Sequence, residues 1–146
     1  MPAQTYRRID LALEQLDVAL MLFLERGDFP AVITLAGAAE EVLGKEVNRR
    51  GWQVALHRRV NRYAEQDRKA AITEQNRVRN ALKHFADHEQ SEFTADLEEA
   101  ARWALERACE NAHRLELEVP RSEAFGEWYQ KTLIERHAAH SGTSPT

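Results

Sequence analysis

The chain has 146 residues, 43% of them apolar and 30% charged, which excludes a disordered polymer and leaves enough material for one buried core. Six glycines and four prolines leave room for long helices, and no apolar run approaches the roughly 20 residues that a membrane span needs. The net charge of −4, taken by itself, argues against nucleic acid as a partner, and a single cysteine, Cys109, excludes an internal disulfide or a cysteine-based metal site.

No charged-then-apolar leader is expected at the N-terminus, because Arg7 and Arg8 are followed at once by Asp10. With no membrane segment either, the expected location is cytoplasmic. Residues 4–24 predict a first helix: Ile9, Leu13, Leu16, Leu20 and Leu24 recur at three- and four-residue spacing, and Asp10, Glu14 and Asp17 mark a solvated face. Arg26-Gly27-Asp28 breaks it, with Gly27 suited to a helix end, Asp28 or a neighbour to capping the next helix, and Pro30 to that helix's first turn. A second helix over 30–50 carries Leu35-Ala36-Gly37-Ala38-Ala39, whose small side chains let another backbone come close, and Gly51 ends it.

Residues 52–85 are long and basic, and read as one helix or as two with a break near 65–67, with Val78, Leu82 and Phe85 on one face. A polar loop follows over 86–91. Thr94 suits the cap of a fourth helix reaching residue 115, with Leu97, Ala101, Ala104, Ala108 and Leu115 inward and Cys109 a buried, inert thiol. Val119-Pro120 interrupts, and a fifth helix over 122–137 places Phe125, Trp128 or Tyr129, and Leu133 against the rest. The fold class expected is all-α, an antiparallel bundle of four to five helices, with one domain over 1–137 and a flexible tail over 138–146.

Charge is unevenly distributed. Between Lys45 and His84 there are eleven Lys/Arg against four Asp/Glu, a local +7, while the remainder carries −11. Such asymmetry marks either a contact surface for phosphates or a basic helix packed beside acidic ones.

Within the basic segment stands Arg79-Asn80-Ala81-Leu82-Lys83-His84. An arginine, four residues and then a histidine, with a polar residue directly after the arginine, resembles the mark of the HEPN family, helical-bundle domains that include many metal-independent ribonucleases. The placement of 76–85 near the end of a helix after two long earlier ones also resembles that family, and the likeness spans about residues 4–118. It implies endoribonuclease activity, a site composed across a homodimer, and a toxin or defence role with an antitoxin protein as partner. In family toxins paired with a nucleotidyltransferase antitoxin, a tyrosine stands two places after the histidine; here that place is Ala86, so regulation by modifying that tyrosine is not expected.

The chemistry can be argued without the family. Cleaving RNA through its own 2′-hydroxyl needs a proton acceptor, a proton donor for the leaving oxygen, and positive charge on the phosphate. Histidine titrates near neutrality, and arginine stays charged and can bond two phosphate oxygens. Thus His84 is the candidate acid/base, Arg79 the phosphate holder, and Asn80, one helical turn before His84, its orienter or a further phosphate ligand. Asn76 extends the stripe, Lys83, Arg77, Arg58, Arg59 and Arg62 would guide RNA in, and Glu40 would steer Arg79. The same residues admit a non-catalytic reading, in which such a helical dimer binds a partner protein or a nucleotide, the Asn–His stripe is a solvated face, and Arg79 pairs with Glu40 or Glu41. No metal and no cofactor is expected: His84 and His88 lack a second ligand pair, Glu110-Asn111-Ala112-His113 supplies only one of the two Glu-x-x-His units that a di-iron bundle uses, and the glycines are scattered.

Overall fold

A computed structural model describes residues 1–84 and 91–142. Among them the chain is all-helical: α1 (Arg8–Met21), α2 (Phe29–Arg49), α3 (Ala55–Val60), α4 (Arg68–Lys83), α5 (Leu97–Arg114) and α6 (Ser122–Ser141). A π-helical turn, Leu22–Arg26, continues α1, and a 3-10 turn, Glu65–Asp67, precedes α4. The basic region is therefore two helices, broken where its sequence turns polar. No helix among the described residues is long and apolar enough to cross a membrane.

The core lies between α1, α2 and α5. Leu16, Leu20, Ile33, Leu43 and Leu105 are fully buried, each contributing about 1.5–3 kcal/mol by leaving water. On α2 the buried Ala36, Gly37, Ala39 and Gly44 leave no bulk, so neighbouring helices approach closely; a methyl group on Gly44 would stand 3.4 Å from Asn111 Nδ2 of α5. The expected inward set of α5 holds, with Ala101, Ala104, Ala108 and Leu115 buried and Leu97 partly so. Cys109 is buried there too, and desolvation, helped by the Glu106 charge, pushes its thiol up to about 12.

The helix ends follow local chemistry, with corrections. Gly27 (φ 69°) and Gly51 (φ 77°) take the left-handed conformation that glycine tolerates, closing the first and second helical segments. Asp28 holds the N-cap position of α2 but makes no capping bond; its carboxylate accepts from Arg26 at 3.2 Å. The cap of α5 is Asp96, not Thr94: Asp96 Oδ1 accepts the Glu99 amide at 3.0 Å. Asp17, expected on a solvated face, instead anchors the start of α6, accepting from the Arg121 amide at 3.1 Å and pairing with its guanidinium.

The helix α6 is fixed through its first turns. Phe125 is buried, and with Trp128 it joins Phe23 and Phe29 in an aromatic cluster whose Phe23–Trp128 centroids are 4.6 Å apart. Leu133, expected inward, is 47% exposed, because the helix has by then run past the cluster. It continues through Ser141, so residues 138–141 are helical rather than tail; residues 143–146 lie outside the described residues, as do Phe85, His88 and all but Ser91 of the loop expected over 86–91.

Candidate functional site

The helix α4 has no fully buried residue, because it is polar apart from a narrow stripe. Ile72, Gln75, Asn76, Val78, Arg79 and Leu82 are half-buried toward the bundle, and Val78 and Leu82 touch the core. Polar contacts complete the seat. Arg107 of α5, almost fully buried, donates from Nε to Glu40 Oε1 on α2 (2.9 Å) and from Nη1 to Gln75 Oε1 on α4 (2.7 Å). One guanidinium thus joins three helices, and its pairing with a carboxylate offsets the burial of both charges.

Arg79 lies across α2 at Gly37, where a methyl group would stand 2.6 Å from Arg79 Cδ. Only a missing side chain on α2 admits the arginine stem. Arg79 is half-buried, yet its guanidinium has no hydrogen-bond or ion-pair partner among the described residues. It borders two clefts. One, of about 300 Å³ between α2, α3 and α4, is also lined by Glu40, Lys45, Asn48, His57 and Asn76. The other, of about 200 Å³, is lined by Thr34, Gly37, Leu82 and Lys83, and Glu41 borders both.

The structure separates part of the expected stripe. Asn76 belongs to the larger cleft, and its Oδ1 is buried without a partner among the described residues, whereas Asn80 is exposed. His84 follows the last helical residue with extended backbone (φ −123°, ψ 135°); its amide still donates to the Asn80 carbonyl at 2.9 Å, and the residue is exposed. Glu40, expected to steer Arg79, has Oε1 engaged by Arg107, while its buried Oε2 has no partner among the described residues.

The basic residues divide in two. Arg58 pairs with Glu110 (2.5 Å), Arg59 with Glu106 (3.3 Å) and Glu110 (3.6 Å), and Arg77 with Glu74 (3.2 Å) and the Thr94 carbonyl (3.1 Å). Glu46 accepts from Arg49 and Arg50, and the hydrogen bond from Arg49 above all holds its carboxyl down to about 2. Much of the local +7 is therefore matched by nearby carboxylates. Arg62, Arg79 and Lys83 have no ion-pair partner among the described residues.

His57 and Lys45 were not singled out by the sequence. The available signal was slight: His57 is the only histidine besides His84 in the basic segment, directly before Arg58-Arg59. Among the described residues no group of three or more His, Cys, Asp or Glu is placed to hold a metal ion; the His84–His88 pair cannot be placed, since His88 lies outside them. Comparisons with protein-family models, curated proteins and solved structures returned no match to this chain.

Proposed function

We propose that the chain is a metal-independent endoribonuclease of the HEPN type, acting as a homodimer and cleaving RNA through attack of its 2′-hydroxyl. The observation that carries the reading is the guanidinium of Arg79, held on Gly37 at the border of two clefts with no partner among the described residues. An arginine given a seat but no counter-charge among the described residues is suited to a phosphate from outside the chain. His84, exposed at the end of the same helix, supplies the group that takes the 2′-hydroxyl proton. Asn80, one turn earlier, would hydrogen-bond the phosphate. Lys83 and Arg62, without ion pairs among the described residues, would draw RNA in. A toxin or defence role with an antitoxin partner follows from the family resemblance alone.

The test is cleavage of mixed RNAs by purified protein. His84→Ala and Arg79→Ala should each lower the rate by roughly a hundredfold, the scale of an acid/base group or a transition-state charge contact, with circular dichroism unchanged. Activity should survive a chelator, fail on a substrate with hydrogen in place of the 2′-hydroxyl, and leave 2′,3′-cyclic phosphate ends. Light scattering should give about twice the 16.8 kDa chain mass. Full activity in folded His84→Ala, or cleavage of the deoxy substrate, would sink the mechanism.

A further inference from the structure

We infer that the cleft between α2, α3 and α4 is the seat of an RNA phosphodiester, bound between Arg79 and His57, and that His57 is the second proton-handling group of the reaction. The second half rests on the ribonuclease reading; the binding half does not.

The short helix α3 is pinned to α5. The Ala55 amide donates to Asn111 Oδ1 (2.9 Å), and Arg58 and Arg59 pair with Glu110 and Glu106. These contacts hold α3 by one side. His57, which lines the cleft, has no side-chain hydrogen bond or ion pair among the described residues. The backbone of α3 is thereby held in place, and the exposed His57 imidazole at the cleft has no partner among the described residues.

Charge in the cleft leads to the same ligand. The Glu40 carboxylate is matched by Arg107 at 2.9 Å and the Glu41 carboxylate by Lys45 at 3.7 Å. Among the described residues the lining cation left without an ion-pair partner is Arg79, joined by His57 when protonated; Glu40 Oε2 and Asn76 Oδ1 are the lining acceptors left without a hydrogen-bond donor. One fixed cation and one titratable imidazole suit a phosphate diester, which carries a single negative charge, and a volume of about 300 Å³ can admit a nucleotide unit.

A second imidazole also meets a requirement that His84 alone leaves open. His84, unprotonated, takes the 2′-hydroxyl proton as that oxygen bonds to phosphorus. The bond from phosphorus to the 5′-oxygen breaks, and His57, in its protonated form, gives its proton to the departing oxygen. The products are a 2′,3′-cyclic phosphate and a 5′-hydroxyl. The two imidazoles end with protonation states exchanged, and solvent resets them.

The binding half is tested with thymidylyl-3′,5′-thymidine, a phosphodiester that has no 2′-hydroxyl and cannot be cleaved by this route. Added to the intact protein, it should move the His57 imidazole resonance, identified by its loss in His57→Gln, and raise that imidazole's titration midpoint. Arg79→Ala or His57→Gln should weaken binding about tenfold or more, the scale of one charge-assisted hydrogen bond. A His57 resonance that does not move, or that moves with inorganic phosphate alone, overturns the diester site. For the second half, His57→Gln should lower RNA cleavage roughly a hundredfold and remove the alkaline limb of the pH–rate profile, leaving the acid limb to His84. Unchanged cleavage with both limbs intact overturns the role of His57 while the ribonuclease reading stands. Absence of cleavage by the unaltered protein ends both the ribonuclease reading and the proton-transfer half, and the dinucleotide titration still decides the cleft.

Discussion

Gly37 of α2 and Arg79 of α4 are shaped to each other: a Cβ on Gly37 would lie 2.6 Å from Arg79 Cδ and 3.3 Å from its Cγ. Gly37→Ala therefore sets two effects in opposition. Alanine is the better helix former by about 1 kcal/mol, so the fold should be as stable or more so. The arginine must leave its seat, and a displacement on the order of 1 Å at a positioning group can lower a rate roughly a hundredfold. The expected outcome is an unchanged or raised melting temperature with strongly reduced RNA cleavage. Undiminished cleavage would mean that the seat of Arg79 has no part in the reaction.

The buried Glu40–Arg107 pair should behave as a unit. Arg107→Met leaves a carboxylate in the core without its counter-charge and should destabilise by about 3–5 kcal/mol. Replacing both with apolar residues of similar size, as in Glu40→Leu with Arg107→Met, should recover most of that loss in urea unfolding. A double variant as unstable as the single would point to the Gln75 hydrogen bond, rather than charge burial, as the dominant contribution.

The two classes of basic residue should separate in RNA binding. Lys83→Glu and Arg62→Glu remove charges with no ion-pair partner among the described residues, and each should reduce the slope of log affinity against log salt by roughly 0.7. Arg58→Glu and Arg59→Glu place like charges against Glu110 and Glu106, so their main effect should be a lower unfolding midpoint. Equal loss of RNA affinity in all four would show that the α3–α5 ion pairs open when RNA binds.

The parts of the molecule legible in the sequence were those fixed by neighbours along the chain. The spacing of Leu16 and Leu20, the breaks at Gly27 and Gly51, and the alanine stripe of α5 each follow from local periodicity or backbone preference. What escaped depended on distant partners. Asp17 reads as a solvated carboxylate until Arg121, 104 residues later, folds onto it. Glu40 reads as a partner for Arg79 until Arg107, 67 positions away, takes one of its oxygens. Thr94 and Asp96 are both good caps, and choosing between them required knowing where α5 begins. Arg79 is singled out because a motif carries it; the place of His57 beside the same cleft emerges only once α3, α2 and α4 surround one space, which no local pattern encodes.

Asn111 bears on how the molecule comes together in time. Its buried carboxamide accepts from the Ala55 amide and donates to the Glu40 carbonyl at 3.4 Å, closing separations of 56 and 71 residues. The hairpin of α1 and α2 needs no such closure and can form early, as local contacts do. The wall that carries α3 gains its fixed position only after α5 has docked, when the entropy of closing those long loops has already been met. The cleft is thus a late product of folding. Changes at Asn111 should appear mainly as faster unfolding, with the rate of folding little altered.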